Sequence, residues 1–264
     1  MKNNLLIQNK SLGYKILHYL SPSFVLIAFM LLWHMTAVGG ETMLPTPVAT
    51  LRRLATIWTS IIAREPMIVH VWVSIRRILT ALGVALLFGV PFGVTLGWNK
   101  TFRAIFMPVF EIIRPIPPIS WVPLLTLWLG TGEIPRVAII FIGVLMPIVV
   151  NSYAGVSMVP PLNIDVARSF GANRREMLFD IVLPSSLGAI FSGIRTAVGT
   201  GWMVLLAAEM LAARSGIGFL IMQGSNANDL ELAIVGMFMI GILGASFAYG
   251  FDFLERWLCP WKRS

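Results

Sequence analysis

The sequence predicts an all-α fold, a polytopic membrane bundle of about six transmembrane helices, and three observations support this prediction. Hydrophobic residues make up 57% of the 264 residues. Charged residues make up only 12%, whereas soluble domains carry roughly 25%. The uncharged residues are also gathered in long runs between short charged segments. Such runs are typical of membrane-spanning helices, which need about 20 apolar residues to cross the hydrocarbon.

Each predicted span follows from one of these runs. The third and fifth spans reach a sufficient length only if they include charged residues, which marks them as unusual. The spans belong to one transmembrane domain over 22–258, between an N-terminal segment 1–21 and a tail 259–264. The predicted spans are 22–39, 75–97, 104–130, 136–156, 186–211 and 231–254.

The basic residues predict the orientation, because Lys and Arg accumulate in cytoplasmic loops. With both termini in the cytoplasm, the cytoplasmic segments hold Lys2, Lys10, Lys15, Lys100, Arg103, Arg168, Arg174, Arg175, Arg256, Lys262 and Arg263. The opposite side holds Arg52, Arg53, Arg64, Arg136 and Arg214, with Arg76 and Arg77 near that membrane face. The excess of 20 Lys and Arg over 12 Asp and Glu therefore needs no nucleic acid to explain it.

Two further patterns concern packing. Thr46-Pro47 suits the start of a helix, and segment 44–64 then forms either an amphipathic helix on the outer surface or a connecting helix packed on the bundle. In the second span, Gly89, Gly93 and Gly97 recur every four residues. This row predicts that another helix backbone approaches closely, as core packing or as a moving interface.

The segment 157–184 is polar and lies between two apolar runs. Pro160-Pro161 end the fourth span, Asn163 suits the cap of a short helix, and Gly171 suits a sharp turn into a second helix. Leu183-Pro184 are expected to end that second helix at the membrane. Two short helices joined by a glycine turn form a stiff knob, which suits a groove on a partner better than a flexible loop does.

This segment resembles the cytoplasmic loop of ABC-importer permeases, which reads Glu-Ala-Ala, three residues, Gly-Ala, a spacer and Ile-x-Leu-Pro. Asp165, Val166 and Ala167 stand at the first three positions, and Asp165 keeps the charge of the glutamate. The resemblance implies that the loop docks on a separate ATPase and receives its stroke. The ATPase-coupling residues that it implies are Asp165, Val166, Ala167, Arg168, Gly171, Ala172, Arg174, Leu183 and Pro184, with Ile181 also matching.

A second resemblance extends over about 44–258. The stretch from Arg114 to Pro123 resembles the Arg-Pro-x-Pro-Pro-x-x-Trp-x-Pro stretch of permeases for taurine, aliphatic sulfonates and related small anions. Segments 201–202, 207–209 and 215–218 match the same group, and 127–133 is more similar to its sulfonate branch. The resemblance implies import of a small organic sulfonate such as taurine. Nitrate, bicarbonate and a vitamin-precursor heterocycle remain alternatives.

The prolines of the third span indicate a solute path independently of the family resemblance. Pro115, Pro117, Pro118 and Pro123 cannot share one regular helix. Backbone groups freed inside a membrane must be buried in protein or line a wet cavity, and a broken helix is typical of a transport site. Arg114, roughly 16 Å of helix beyond Arg103, is then expected near mid-depth, with Glu111 as a pairing partner.

Arg195 is expected at a similar depth in the fifth span, and two arginines there would complement a small anion. The structural alternatives are a closed Glu111–Arg114 pair, and binding of Arg195 to loop carbonyls. Glu209 is an isolated acid near the outer end of the fifth span, for which a structural role is favoured over a gate. The translocation-path candidates are Glu111, Arg114, Pro115, Pro117, Pro118, Trp121, Arg195, Trp202 and Glu209.

Other classes of protein find little support. No phosphate-binding loop Gly-x-x-x-x-Gly-Lys-Ser/Thr, nucleophile elbow or zinc-protease motif occurs, so an enzyme is not expected. His34 and His70 lack partners at metal-ligand spacing, Cys259 is single, and no metal or cofactor is expected on this chain. A self-sufficient secondary transporter or channel is the second hypothesis, but it would not need the knob.

The family resemblance also implies the partners. These are a second permease copy in a homodimer, two ABC ATPase subunits that bind ATP and Mg, and a periplasmic or lipid-anchored solute-binding protein. The predicted location is the bacterial inner membrane.

Overall fold

The computed structural model describes residues 12–39, 44–59, 61–62 and 64–258. Most of the predicted N-terminal segment 1–21 and the whole tail 259–264 lie outside the described residues. The helices are α1 (Leu12–Val38), α2 (Pro47–Thr56), α3 (Met67–Trp98), α4 (Lys100–Ile113), α5 (Val122–Leu129), α6 (Glu133–Ser157), α7 (Pro161–Ser169), α8 (Arg174–Glu176), α9 (Leu183–Ala212), α10 (Ile217–Asn226) and α11 (Leu230–Leu258).

The remaining regular elements are short. Ile57–Thr59 and Pro118–Trp121 form 3-10 turns, and Met177–Val182 form a π-helix. Strands β1 (Ile61–Ile62) and β2 (Glu65–Pro66) pair antiparallel just before α3.

The predicted helical membrane bundle is confirmed. Four helices within the described residues are long and apolar enough to span a bilayer: Met67–Trp98, Glu133–Ser157, Arg174–Leu211 and Leu230–Trp257. Helices α4 and α5 give a fifth span if the bent pair is counted as one. The predicted first span coincides with the apolar stretch Ser23–Val38 of α1.

The bundle has two ends, which are named here by its chain connections. At the loop end, α3 and α6 finish and the segment 158–176 begins. At the far end, α6 begins and α9 finishes. The central core between these ends is formed by α3, α6 and α9, which contribute buried residues such as Ile78, Ile140, Val144 and Leu205.

The predicted glycine row in α3 lies against α6. A Cβ atom at Gly93 would come within 2.6 Å of the Val149 carbonyl oxygen, and one at Gly97 within 2.6 Å of Val156. Gly89 approaches the side chains of Leu145 and Ile148 in the same way. Close helix packing is therefore the function of the row, because any side chain here would push the two helices apart.

The third span is broken where the prolines predicted it. Helices α4 and α5 meet at 87° across the segment 114–117. The expected depth of Arg114 is wrong, however. Arg114 shares a cavity with Leu96 and Tyr153, both within about one turn of the loop-end termini of α3 and α6. Helix α4 therefore lies across the loop end of the bundle. Because the chain bends by 87° after α4, it is α5 that runs toward the far end.

Helix α2 begins as predicted, since Thr46 caps it by accepting a hydrogen bond from the N–H of Ala49 at 3.3 Å. Its inner face is buried at Thr50, and Arg53 pairs with Asp229 near the start of α11 at 3.1 Å. The contacts thus favour the connecting helix packed on the bundle over a helix lying free on the surface.

Candidate functional site: the coupling loop and the charged groups of the bundle

The loop 158–176 begins with α7, whose first residue is Pro161. The helix starts two residues before Asn163, so the predicted asparagine cap is wrong; proline already fits the first helical position because its missing N–H has no partner there. The helix ends in a Schellman motif at Gly171, which has φ +82°. The N–H of Ala172 donates to the carbonyl of Ala167 at 3.0 Å, and that of Gly171 to Arg168 at 3.0 Å.

The second helix of the loop follows the turn at Gly171, as the sequence predicted, and begins at Arg174. Asn173 caps α8 by accepting hydrogen bonds from the N–H groups of Arg175 and Glu176, and the Glu176 carboxylate accepts from the N–H of Asn173 at 2.8 Å. This reciprocal capping box fixes the entry of the chain into the helix.

The predicted helix end at Leu183-Pro184 is wrong, because the helix continues. From Arg174 the chain runs through α8, the π-helix and α9 as one span of 38 residues, to Leu211. Pro184 cannot donate to the carbonyl four residues earlier, and its ring would collide with that carbonyl in a regular α-helix. The wider π-helix directly before Leu183 provides an alternative hydrogen-bond pattern there.

One face of the loop is fixed to the bundle and the other is open. Ala167 is buried, and Ile164 packs on a cluster that includes Val182, Ile190 and Val94. On the open face, Leu162 is 70% exposed, Val166 47% and Phe170 89%. Residues four apart share one side of a helix, so these apolar groups form a continuous exposed ridge. Asp165 and Arg168 flank it, 3.5 Å apart.

The far end contains a buried charge network around Arg77. Its guanidinium donates to both carboxylate oxygens of Glu133 at 2.6 and 2.8 Å, to Glu209 at 2.7 Å and to the carbonyl of Ser215 at 2.7 Å. Arg136 also donates to Glu133, at 2.8 Å. The network joins α3, the start of α6 and the end of α9, and it compensates two side chains that are at most 1% exposed.

Glu209 also caps helix α10, and these contacts agree with the favoured structural role. Its carboxylate accepts from the N–H of Gly218 at 2.9 Å and from the Ser74 hydroxyl, which itself accepts from the N–H of Ile217. His70 Nδ1 accepts from the N–H of Gly216. Three of the four unsatisfied N–H groups at the start of α10 thus have buried partners. Gly216 has φ +118°, and a Cβ there would collide with the Glu209 carboxylate.

Sequence reasoning missed Arg77 and Glu133 as members of this network. It placed Arg77 at the external membrane face and treated Glu209 as isolated, because Arg77 and Glu209 are 132 residues apart. The usable signal was that an intramembrane acid needs a partner, and Arg77 lies at the matching end of its span.

Arg195 pairs with two acids near the C-terminus of α11. It contacts Asp252 at 2.6 Å and also contacts Glu255, while Arg256 contacts Asp252 at 2.6 Å. The expected alternative partner, a loop carbonyl, is thus replaced by carboxylates. A role for Arg195 on a solute path remains a prediction, and the described contacts give it the additional role of tethering α11 to α9.

The broken span contributes the remaining path candidates. Glu111 and Arg114 pair at 3.4 Å with about half of each side chain exposed. Pro115, Pro117 and Pro118 form the bend itself. Trp121 follows in a 3-10 turn and lines an apolar cavity of about 470 Å³ with Phe88 and Phe141, among others. An apolar wall of this kind suits packing better than contact with an anion.

Trp202 lies in the core of the bundle. It is 4% exposed and meets the ring of Phe247 edge to face at 5.5 Å between centroids. Its indole N–H has no hydrogen-bond partner among the described residues. The structure therefore does not bring Trp202, Glu209 and Arg114 together into one site.

The fold and the loop together define the class of protein: a polytopic helical membrane protein with a loop of two short helices and an exposed apolar ridge at one end. The family model of the "binding-protein-dependent transport system inner membrane component" matches residues 89–264. The chain belongs to this family and is an ABC-importer permease of the group that includes permeases for taurine, nitrate and bicarbonate.

The individual relatives agree with this assignment. The taurine transport system permease protein TauC of Escherichia coli (strain K12) is 35% identical over 73% of this chain and 70% of its own. A putative ABC transporter permease of Methanocaldococcus jannaschii is 32% identical over 89% of both chains. The nitrate import permease protein NrtB of Synechocystis sp. is 27% identical over 90% of this chain and 89% of its own.

The solved structures confirm the fold. An inward-facing MetNI methionine ABC transporter has a chain with a TM-score of 0.59 and 17% identity, covering 70% of this chain and 92% of that one. At this identity, the match shows that the fold is shared.

Proposed function

We propose that this permease forms the path through which an ATP-driven importer takes up a small organic sulfonate such as taurine. Two copies form the path in a homodimer, and two ABC ATPase subunits bind ATP and Mg on the cytoplasmic side. A periplasmic or lipid-anchored binding protein delivers the solute at the other side. The loop end faces the cytoplasm, as do both termini, and this chain binds no nucleotide, metal or other cofactor itself.

The observation that carries this proposal is the exposed ridge of Leu162, Val166 and Phe170 on a loop with two fixed helix ends. Exposed apolar groups rimmed by charges are typical of a protein interaction site. The ridge lies on a polar loop and is followed by the capped helix α8, so it suits a protein groove. We assign this groove to the ATPase.

The structure of the loop also supports transmission of the ATPase stroke. A force on α8 acts directly on α9, because the two belong to one continuous helical span. A force on α7 passes through Ile164 to the cluster around Val182 and Ile190. Packed interiors transmit displacement because they have few voids. The two routes converge on α9, so we expect this helix to move first when the ATPases close.

The identity of the transported solute has weaker support than the role as an importer permease. Among the relatives reported above, the taurine permease has the highest identity, and the nitrate permease is less similar over more of the chain. Nitrate, bicarbonate or a vitamin-precursor heterocycle are the alternative cargoes. A small sulfonate such as taurine also agrees with the charged pair of Arg114 and Glu111, whose side chains lie 3.4 Å apart.

Retention of the ATPase tests the proposal. The permease is tagged, co-expressed with the ATPase of its own system and purified. We expect the wild type to retain the ATPase, and Arg168→Glu to lose most of it, because this exposed side chain borders the ridge. Arg52→Glu makes the same charge change at an exposed position on the other side of the bundle and should retain it. A wild-type permease that transports solute in proteoliposomes without any ATPase would instead support the secondary-transporter hypothesis.

A further inference from the structure

Helix α4 carries a polar stripe on an otherwise apolar surface. Arg103, Met107, Glu111 and Arg114 follow one another at intervals of four, four and three residues, which places them on one helix face. Arg103, Met107 and Glu111 line one recess, and Met107, Glu111 and Arg114 line an adjoining cavity of about 140 Å³. Beside the stripe, the large exposed side chains Ile105, Phe106, Val109 and Ile112 are apolar, and the exposed polar residues Lys100 and Thr101 stand at the start of the helix.

The stripe cannot face hydrocarbon. Helix α4 lies across the loop end, where ionisable side chains can reach water, lipid headgroups or protein, whereas their exposure to hydrocarbon is costly. Glu111 and Arg114 nevertheless remain 48% and 46% exposed within the single chain. Within the single chain, the stripe is therefore open to water or to a solute.

The order of charges on the stripe is selective. A basic group at Arg103 is followed by an acid at Glu111 and a second base at Arg114. A simple anion that approached Arg114 would be repelled by the Glu111 carboxylate, which lies 3.4 Å from the guanidinium. A solute with both an ammonium and an anionic group would be attracted by both side chains. A half-exposed pair of this length is weak, so a solute can separate its members.

We propose that the cavity between α4 and α6 is a binding site for a zwitterionic aminosulfonate such as taurine. Glu111 binds the ammonium group, Arg114 binds the sulfonate, and Tyr153 with Val149 and Leu96 forms part of the wall. Arginine suits the sulfonate because its donors match a planar pair of oxygens. This inference rests on the proposed function, and it assigns to the permease a selectivity of its own for doubly charged solutes.

Direct titration of the permease–ATPase complex in lipid nanodiscs, without the binding protein, tests the site. The probes are taurine and isethionate, which keeps the sulfonate but has a hydroxyl in place of the ammonium. We expect the wild type to bind taurine about tenfold more tightly than isethionate. A hydrogen bond between the ammonium and the Glu111 carboxylate joins two charged groups and is stronger than one from a hydroxyl. Glu111→Gln should weaken the binding of taurine alone, so that the affinities for taurine and isethionate become similar. Arg114→Gln should weaken both.

The control is Glu231→Gln, which changes an acid in the first turn of α11 and should leave both affinities unchanged. A wild type that binds neither probe, or an unchanged ratio in Glu111→Gln, would overturn the inference. So would nitrate or bicarbonate binding more tightly than taurine. ATPase retention is measured on the same samples, so failure of the coupling proposal is seen separately from failure of this site.

Discussion

The two ends of the bundle differ in how far their charged and apolar side chains are exposed. At the far end, Arg77 and Glu209 are almost completely buried and satisfy each other. At the loop end, Phe170 is 89% exposed and Arg168 68%. Both ends lie on or against the helical span that starts at Arg174. The charged network of the far end is therefore satisfied within one chain, whereas the loop end leaves apolar and charged side chains exposed.

The largest expected effect on folding is at the far end. Arg77→Gln removes the partner of a buried carboxylate, which typically costs about 3–5 kcal/mol in the free energy of unfolding. Arg76→Gln alters the neighbouring arginine, whose side chain is 57% exposed, and should cost less than about 1 kcal/mol. Thermal unfolding of the two purified variants in detergent measures the difference. Equal stability of the two would show that the network is not needed for folding.

An intermediate effect is expected in the glycine row. Gly93→Ala places a Cβ within 2.6 Å of a backbone oxygen of α6, and overpacking of this kind costs about 1–3 kcal/mol. Gly83→Ala is the matched control, because no atom outside its own turn of helix lies within 4 Å of its added Cβ. Alanine also favours a helix over glycine by about 1 kcal/mol, so the control should be slightly more stable than the wild type. A stabilised Gly93→Ala variant would contradict the close packing of α3 on α6.

The smallest expected effect on folding is at the loop end. Phe170→Ala should change the unfolding free energy by less than about 0.5 kcal/mol, because the ring is exposed. The same variant should lose most of the co-purified ATPase, since aromatic anchors dominate interface energies. Phe253→Ala, which removes an equally apolar ring that is 74% exposed on α11, should lose none. If both variants kept the ATPase, Phe170 would not be part of the docking surface.

The sequence predicted the features that depend on neighbouring residues. The uncharged runs indicated the spans, the prolines at 115–118 indicated the break, and Gly171 indicated the turn. Each of these follows from steric limits or burial needs within a few residues. The capping box at Asn173 is also local, but it was not predicted, and the predicted asparagine cap at Asn163 was wrong.

Features that depend on distant contacts were missed. No local pattern pairs Arg77 with Glu209, or Arg195 with Asp252 and Glu255, because these partners lie on different helices. The depth of Arg114 was wrong for a related reason: helix length was counted along α4, but the direction of α4 is determined by its packing on α3 and α6. Pro184 was expected to end a helix because proline inside a regular α-helix loses a hydrogen bond and clashes with the preceding turn. The π-helix that accommodates it could not be predicted from the sequence.

The continuity of the helical span from Arg174 to Leu211 limits how the gene can change in length. One inserted or deleted residue within it would rotate one end against the other by about 100°, because an α-helix has 3.6 residues per turn. Such a change would turn the Glu209 carboxylate away from Arg77 or turn the docking surface away from its partner. Relatives should therefore vary in length before Arg174 or beyond Leu211 and keep a constant residue count between them.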